Sequence, residues 1–395
     1  MKKKIAFFID SLGGGGAERV VSVISNELVS RGYDVDILML NKRPIAYQLS
    51  NKINLYYAAD MPVTTVYGKV IRNCTDKWSY IRRRFYIPLL RRIGVTTYPK
   101  WNETKIYYYA NYAMPYREYL IKNEGCVALG FLIRSNISML MAARGKNVNV
   151  KTVFCERNNP IRPDIPSNII SIRDQVYNQC NVAVFQTEEE KEYYTKLNCR
   201  TAIIMNPIKE GLPDRFEGIR RHEIVNFCRL NEQKNIPLLI EAFAMLHEEY
   251  SDYTLKIYGK GTEKEILLHL IREKKLEEFA FIEDFRDNIH EIIYDAAMFV
   301  STSDYEGLSN SMLEAMAIGL PCICTDCDGG GARMMIKDHV SGLLIPKGDV
   351  RAVYLAMKEV IDSPELAKKL SEEGIKIREQ LSVQKIIERW MEVIE

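Results

Sequence analysis

The sequence lacks several features that would each decide its class at once. No apolar run approaches the roughly 18 residues of a membrane-spanning helix, and the run from Ile5 to Ile9, behind three lysines, is too short for a signal peptide. Neither sign of charge dominates, because Lys plus Arg number 54 and Asp plus Glu number 52. The overall balance therefore argues for neither nucleic acid nor an acidic substrate as a partner. We expect a cytoplasmic protein that does not cross a bilayer.

Cysteine and histidine are too scattered to form a metal site or a disulfide framework. The nine cysteines are an odd number without regular spacing, which favours a reducing compartment. The densest group is Cys322-x-Cys324-x-x-Cys327, and no second Cys/His cluster lies near it in sequence to complete a tetrahedral metal site. We interpret these thiols as buried and unreactive instead. The five histidines are dispersed and form no metal pair. We therefore expect no metal and no bound cofactor.

What is present indicates two globular domains. A chain of 395 residues exceeds the size at which a single core usually stops growing. The apolar run at residues 5–9, a helical pattern at 17–30 and a second apolar run at 35–40 predict a βαβ unit. Residues 56–119, rich in tyrosine and arginine, show no clean period. Further strands are predicted at 150–154, 182–185 and near 203–207. The last runs into Asn206-Pro207, after which glycines and a proline break the pattern and mark the domain boundary.

A second alternating series begins after that break. Apolar runs at residues 224–228, 255–258, 280–282, 298–301 and 322–324 alternate with helical patterns, which is typical of a doubly wound parallel sheet. Ligands of such sheets bind outside the carboxyl ends of the strands. The loops that follow these runs are therefore the candidate site.

A run of four glycines, Gly13 to Gly16, follows the first predicted strand and precedes Ala17-Glu18-Arg19-Val20. Backbone N–H groups at such a strand-to-helix turn can face an anion or a sugar hydroxyl. The run does not fit G-x-G-x-x-G, which weakens a dinucleotide-binding interpretation. The alternative is a tight turn without a ligand.

Two cations stand at the carboxyl end of the strand at 224–228. Arg229 and Lys234 suit a diphosphate, the first through its planar fork and the second as a point charge. The alternative is a solvated loop with ordinary surface charges.

The longest motif runs from Glu306 through Gly307-Leu308-Ser309-Asn310 to Glu314, and on to Gly319-Leu320-Pro321. Glu306 is predicted in a loop and Glu314 in the first turn of the next helix, so the two carboxylates can hold the ends of an extended polar ligand. The backbone N–H groups between them would cradle a phosphate. The alternative for Glu314 is structural, because Ser311-x-x-Glu314 is also a capping box.

Taken together, these residues resemble the retaining glycosyltransferases of family 4. That family has the GT-B fold, in which two Rossmann-like domains with doubly wound parallel sheets face each other across a cleft. The resemblance covers both halves of the chain, and its most specific element is the family's E-x7-E spacing between Glu306 and Glu314. Further matching segments are Gly14-Gly15-Gly16-Ala17-Glu18-Arg19-Val20, Ala315-Met316-Ala317-x-Gly319-x-Pro321 and Gly342-Leu343-Leu344-Ile345-Pro346.

The resemblance implies a division of the chain and a set of roles. Residues 1–206 would form the acceptor-side domain with a basic insert at about 69–105, residues 207–375 the domain that binds a nucleotide-sugar, and residues 376–395 a helix that returns to the first domain. Transfer would need no metal. The implied diphosphate ligands are Arg229 and Lys234, while Glu306 would meet the sugar near the reacting carbon and Glu314 the ribose. The other residues implied around the donor are Gly307, Leu308, Ser309, Asn310, Gly15 and Gly16. Those implied on the acceptor side are Gly14, Glu156 and Arg157.

The sequence departs from the family in one place. Many relatives carry a histidine near the donor sugar, where this chain has Phe154-Cys155-Glu156-Arg157-Asn158-Asn159-Pro160. Arg157, with Glu156 beside it, takes that position. Because a guanidinium stays protonated, sugar or phosphate binding is the more plausible role for Arg157, and base catalysis the less plausible one.

The resemblance is strongest to bacterial transferases of surface polysaccharide and lipid-linked oligosaccharide. It implies transfer of a hexose or N-acetylhexosamine, with a UDP-sugar preferred over a GDP-sugar, to a saccharide acceptor on a polyprenyl diphosphate. Two alternatives remain: a sugar-nucleotide epimerase of the same architecture, and an inactive protein that binds sugar-nucleotides. A donor that turns over without an acceptor would identify the epimerase.

The stretch from Lys69 to Lys105 generates a prediction about the membrane. It holds ten Lys and Arg residues against Asp76 and Glu103. The apolar residues Trp78, Ile81, Phe85 and Leu89 fall near one face at helical spacing, interleaved with arginines, as in a helix on an anionic membrane surface. The same basic residues could equally hold a lipid-linked diphosphate, and the remaining alternative is a solvated surface excursion with buried aromatics. We expect the protein to sit at the inner face of the cell membrane and to sediment with anionic but not zwitterionic liposomes, with release by salt. The residues that would hold it there are Arg82, Arg83, Arg84, Arg91 and Arg92.

Replacing Arg82, Arg83 and Arg84 with glutamate should abolish that sedimentation. Unchanged liposome binding, together with unchanged activity on a lipid-linked acceptor, would contradict the prediction.

Overall fold

The computed structural model describes residues 3–61, 103–144, 148–161 and 165–395. The five arginines predicted to contact a membrane lie outside these residues. The chain folds as two compact units. Unit 1 comprises Met1–Phe185, Lys191–Ile204 and Ile387–Glu395, and unit 2 comprises Gln186–Glu190 and Met205–Ile386. Among the described residues, no helix is both long and apolar enough to span a membrane.

Unit 1 is built on a sheet of seven parallel strands in the order β3-β2-β1-β4-β5-β6-β7. Its central strands are continuous apolar runs because helices cover both faces of a parallel sheet. The strands are β1 (Lys4–Ile9), β2 (Asp34–Met39), β3 (Asn54–Tyr57), β4 (Val127–Phe131), β5 (Lys151–Cys155), β6 (Val182–Phe185) and β7 (Arg200–Ile203). The helices are α1 (Gly16–Ser30), α2 (Glu103–Lys122), α3 (Ile133–Ala143), α4 (Ser167–Tyr177) and α5 (Glu188–Tyr193), which begins within unit 2.

Unit 2 repeats the plan with six parallel strands in the order β10-β9-β8-β11-β12-β13. The strands are β8 (Arg221–Phe227), β9 (Thr254–Tyr258), β10 (Ala280–Glu283), β11 (Ala296–Ser301), β12 (Cys322–Asp326) and β13 (Leu343–Pro346). The helices are α6 (Ile236–His247), α7 (Lys264–Glu273), α8 (Ile289–Ile293), α9 (Asn310–Ala317), α10 (Gly331–Met335), α11 (Val350–Asp362), α12 (Pro364–Gly374), α13 (Ile377–Gln380) and α14 (Val383–Ile394), which ends within unit 1.

The order of the strands fixes where each sheet can bind a ligand. In both sheets the chain winds outward from a central strand, then returns to that strand's other side and winds the opposite way. The reversal lies between β1 and β4 in unit 1 and between β8 and β11 in unit 2. Loops diverge at the carboxyl ends of such neighbouring strands and leave a crevice.

Most predicted strands are confirmed within a few residues, including the N-terminal βαβ unit and the five strands of the second series. The strand expected to run from Ile203 to Pro207 instead ends at Ile203. Several elements were not predicted, among them β3, α2, β4 and α3 in unit 1 and β13, α11 and α12 in unit 2. Helix α2 carries Pro115 within it, and Tyr116 on the same helix is completely buried with its ring edge-on to Phe8 at 4.8 Å between centroids.

Candidate active site

The loop after β8 presents Arg229 to solvent at the carboxyl edge of the second sheet. The next residue, Leu230, is completely buried, and its backbone N–H donates to the carbonyl of Lys260 at 2.9 Å. A side chain at Gly261 would place its Cβ 2.0 Å from the carbonyl oxygen of Leu230. Glycine there lets the loops after β8 and β9 pack closely, which fixes the position of Arg229.

Lys234 lies at the end of a short 3-10 helix, Glu232–Lys234, in the same loop. The following residue, Asn235, adopts a left-handed conformation with φ of 42°, and its side-chain amide donates to a carboxylate oxygen of Asp304 at 2.9 Å. The Thr302 hydroxyl donates to the backbone carbonyl of Asn235 at 2.9 Å. These bonds join the loop after β8 to the loop after β11.

Lys234 and Glu306 form an ion pair at this junction. Burial by itself lowers the pKa of Lys234, but the adjacent Glu306 carboxylate outweighs it and raises the pKa above the ordinary lysine value. The pKa of Lys234 is higher in the folded than in the unfolded state, so the ion pair stabilises the folded state fully at a pH below the ordinary lysine pKa. This stabilisation is lost only as the pH rises through the raised pKa. The ammonium is therefore charged at neutral pH.

Two more side chains hold the Glu306 carboxylate. The Ser303 hydroxyl donates to the same oxygen as Lys234 at 3.1 Å. The Gln233 side-chain amide donates to the other oxygen at 3.2 Å and to the backbone carbonyl of Tyr305 at 2.8 Å. Ser303 and Gln233 are themselves buried. Neither residue was singled out from the sequence, because isolated Ser and Gln residues in loops carry no pattern.

The backbone around Glu306 is held by the loop after β12. The N–H of Glu306 donates to the carbonyl of Asp328 at 2.9 Å. A Cβ at Gly329 would lie 1.8 Å from the carbonyl oxygen of Glu306, and one at Gly331 would lie 1.8 Å from that of Gly307. Only glycine permits this approach, and the predicted donor residues Gly307, Leu308 and Ser309 are consequently buried.

Glu314 pairs with a histidine in the structure. The N-cap of α9 is Ser309, whose hydroxyl accepts from the backbone N–H of Met312 at 3.5 Å, so the capping box considered for Ser311 and Glu314 does not form. The Glu314 carboxylate instead lies 2.7 Å from Nε2 of His290, and both side chains are buried. The dispersed positions of the histidines concealed this contact.

The N-terminus of α9 is also anchored by polar side chains. The Asn206 amide nitrogen lies 2.9 Å from the side-chain oxygen of Asn310, and the Gln186 amide nitrogen lies 2.9 Å from the side-chain oxygen of Asn206. Asn206 and Gln186 are buried. They fix the position of Asn310, the last of the predicted donor residues in this loop.

The cysteine-rich strand is buried, as expected. Burial raises the pKa of Cys322 and Cys324 well above the ordinary value, and that of Cys327 to about 12. The thiols are therefore protonated at neutral pH.

We expected no Asp-x-Asp cluster at a strand end, and this expectation is wrong, because Asp326-Cys327-Asp328 stands at the end of β12. The two carboxylates form ion pairs, Asp326 with Arg333 at 2.5 Å and Asp328 with Lys347 at 2.7 Å. The described residues contain no group of three or more metal-ligating side chains.

In unit 1 the glycine loop forms the start of α1. Gly15 is the N-cap and Gly16 the first helical residue, while Gly14 adopts φ of 116°. The Glu18 carboxylate turns back to accept the N–H of Gly15 and, at 2.8 Å, the hydroxyl of Ser11. One N–H that was expected to face a ligand is thus taken by Glu18.

A partly buried polar contact lies beside this loop, at the reversal point of the first sheet. The Ser135 hydroxyl at the start of α3 donates to the Asp10 carboxylate at 2.7 Å. Burial raises the pKa of Asp10, against the opposing effect of Ser135 and Arg134. Sequence patterns missed Asp10 because it stands alone at the end of a strand.

Arg157 and Glu156 are both buried in unit 1. The Arg157 guanidinium lies over the rings of Phe131 and Trp390, at 5.0 and 5.3 Å from their centroids, and donates to the carbonyl of Ile204 at 3.1 Å. Glu156 accepts a hydrogen bond from the Tyr194 hydroxyl at 2.6 Å. These contacts pack the Arg157 side chain within unit 1, and its predicted role in binding a sugar or phosphate stays a prediction.

The chain forms two parallel sheets, and in each the direction of winding reverses between two central strands. Charged loops lie at the carboxyl edge of the second sheet. This is a GT-B architecture. A crystal structure of a mutant of the S. aureus protein TarM, in complex with fondaparinux, α-GlcNAc-glycerol and UDP, is similar over 100% of both chains, with a TM-score of 0.76 and 16% sequence identity. The likeness shows the fold: it is GT-B.

The activity class follows from the sequence comparisons. Residues 218–377, within unit 2, match the family model "Glycosyl transferases group 1". An uncharacterized glycosyltransferase of Haemophilus influenzae is 23% identical over 99% of this chain and 100% of its own length. An N-acetylgalactosamine-N,N'-diacetylbacillosaminyl-diphospho-undecaprenol 4-alpha-N-acetylgalactosaminyltransferase of Campylobacter jejuni is 25% identical over 93% of this chain and 92% of its own. Together these similarities support a bacterial glycosyltransferase.

The close packing at Gly329 generates a testable prediction. We expect Gly329→Ala to lower the melting temperature more than Gly348→Ala, because only the first adds a clash with the Glu306 carbonyl. Both glycines have positive φ, 99° and 76°, but nothing lies within 4 Å of a Cβ at Gly348. The clash should add about 1–3 kcal/mol of destabilisation to the shared backbone cost. Differential scanning fluorimetry of the two variants checks this, and equal losses would contradict it.

Proposed function

We propose that this protein is a retaining glycosyltransferase that moves a hexose or N-acetylhexosamine from a nucleotide-sugar to a saccharide acceptor without a metal. The observation that carries the proposal is the pair of buried or half-buried carboxylates at the carboxyl edge of the second sheet, each held by a basic partner. Glu306 is paired with Lys234, and Glu314 with His290. A ligand with hydroxyls at both ends and negative charge between them suits this arrangement.

Charge neutralisation is the chemical requirement of the transfer. As the bond between the sugar and the diphosphate breaks, negative charge develops on the leaving phosphate. Arg229 is exposed beside the ion pair, and Lys234 holds a permanent positive charge next to Glu306. In the proposed reaction these two cations receive that charge, and the leaving diphosphate helps to take the proton of the acceptor hydroxyl on the same face of the sugar, which retains the configuration.

Glu306 would meet the sugar and Glu314 the ribose. The Glu306 side chain is fixed by Lys234, Ser303 and Gln233, so it can accept sugar hydroxyls without a large reorganisation. Lys234 pairs with Glu306 in the structure, and in the donor complex it would also pair with the diphosphate.

The relatives favour a particular donor and acceptor. The structural relative binds UDP, and the Campylobacter jejuni relative is named for a diphospho-undecaprenol-linked acceptor. We therefore extend the proposal to a UDP-sugar donor, preferred over a GDP-sugar, and to a lipid-linked saccharide acceptor at the inner face of the membrane, in the assembly of bacterial surface polysaccharide or oligosaccharide. Nucleic acid has no part in it.

The two glutamates should differ in their kinetic effects. We expect Glu306→Ala to lower kcat by at least about 100-fold, a loss comparable to removing one group that stabilises the transition state. Glu314→Ala should chiefly raise the donor KM, because its contact with the ribose is the same in ground and transition states. Steady-state assays with UDP-sugars and a polyprenyl-diphosphate-linked acceptor measure both.

Glu265→Ala, at an exposed position on α7, is the matched control and should leave both constants unchanged. Equal rises of donor KM in the two site variants, with kcat preserved, would overturn the assignment of Glu306.

Transfer should survive chelation and give an α-linked product from an α-linked donor. The reason is that Arg229 and Lys234 lie where phosphate charge would develop, whereas Asp326 and Asp328 are each paired with a cation. Activity is measured after EDTA treatment, and the product's anomeric proton coupling is read by NMR. An enzyme inactivated by EDTA and restored by manganese, or a β-linked product, would contradict the mechanism. Donor turnover without an acceptor would point to an epimerase.

A further inference from the structure

His290 is a buried imidazole that contacts Glu314 and takes no part in the chemical step of the proposed reaction. We propose that His290 is a positioning residue that aims the Glu314 carboxylate at the donor's ribose, and that it thereby sets the preference for ribonucleotide over deoxyribonucleotide donors. The inference rests on the proposed function and assigns a role to a residue outside the E-x7-E motif.

The contact between the two side chains is direct and protected from water. Nε2 of His290 lies 2.7 Å from a carboxylate oxygen of Glu314, and the two side chains are only 6% and 10% exposed. A buried carboxylate requires hydrogen-bonding partners, since the cost of leaving it unpaired exceeds that of most single interactions. The imidazole N–H supplies such a partner. It therefore selects the Glu314 rotamer that points toward α8.

The imidazole is itself held in place. Its neighbours on α8, Ile289 and Ile293, are buried and anchor the short helix. The ring of Phe227, the last residue of β8, meets the imidazole edge-on, with 5.7 Å between centroids and an interplanar angle of 84°. His290 thus connects Glu314 to the end of β8, the strand that precedes the Arg229 loop, at the reversal point of the sheet.

This arrangement leaves Glu314 able to accept hydrogen bonds from the ribose hydroxyls. A carboxylate offers about four acceptor sites, and the imidazole occupies one of them. A carboxylate of fixed orientation loses little freedom when it accepts two ribose hydroxyls, whereas a mobile one would have to be ordered at the moment of binding. Discrimination in favour of ribose should therefore depend on His290.

The test compares the affinity of UDP with that of 2′,3′-dideoxy-UDP by isothermal titration calorimetry. For the wild type we expect UDP to bind about 10- to 100-fold more tightly, as for one or two hydrogen bonds to a charged group. In His290→Leu the ratio should fall to within about threefold, because Glu314 is no longer aimed at the ribose. His269→Leu, at an exposed position on α7, should keep the wild-type ratio.

Two amide variants separate positioning from packing. The side-chain amide of glutamine can place an N–H near the position of Nε2, whereas that of asparagine reaches only the position of Nδ1. We expect His290→Gln to retain most of the preference for UDP and His290→Asn to lose it. Circular dichroism confirms the fold of each variant, and the amide pair decides the question if His290→Leu does not fold.

The outcomes distinguish the two proposals. A wild type that binds neither UDP nor GDP would refute the proposed function. A wild type that prefers UDP, with the same preference in folded His290→Leu or His290→Asn, would refute only the role of His290. Equal affinity of the wild type for UDP and its dideoxy form would also refute that role.

Discussion

The ion pair between Lys234 and Glu306 is the interaction on which the second unit's site depends. It joins the loops after β8 and β11, the two strands between which the chain reverses direction across the sheet. Other contacts reinforce the junction. The Asn235 side-chain amide donates to the Asp304 carboxylate, and the Gln233 side-chain amide donates to the Tyr305 carbonyl and the Glu306 carboxylate. A loop pair that would otherwise diverge is thus held at a fixed separation, with one positive and one negative group facing the crevice.

Two glycines in the loop after β12 allow this junction to form. Side chains at Gly329 and Gly331 would collide with the carbonyls of Glu306 and Gly307, so the loop after β12 supports the loop after β11 through backbone contact alone. Backbone-to-backbone contacts leave little room for adjustment. The position of the Glu306 carboxylate is therefore set by three strands together, although its own residue lies in a loop.

Local patterns in the sequence were enough to predict the sheets but not the partners of the site residues. Apolar runs such as Ile5 to Ile9 are recognisable because both faces of a parallel strand are buried. Strand β4 escaped recognition because Gly130 interrupts its run, and the structure shows why glycine is there: a Cβ would lie 2.5 Å from the Asn136 side chain.

In the site, too, the sequence predicted residues that stand in local motifs but not their distant partners. Glu306, Glu314, Arg229 and Lys234 stood in recognisable motifs, whereas His290 lies 24 residues from Glu314 in sequence. In addition, the local pattern Ser311-x-x-Glu314 offered a structural alternative for Glu314, as part of a capping box. The packing of Arg157 could not be predicted for a related reason: the rings that flank it come from distant parts of the chain.

The packing of Arg157 has a consequence for how the protein is made. Trp390, which is completely buried and lies beside the Arg157 guanidinium, belongs to unit 1 but follows all of unit 2 in the sequence. A ribosome delivers the chain from its N-terminus, so the core of unit 1 stays incomplete while some 180 residues of unit 2 are synthesised and fold. A truncated product would expose the rings and the charge that Trp390 covers. Helix α14 therefore completes the core of unit 1 only after unit 2 has been synthesised.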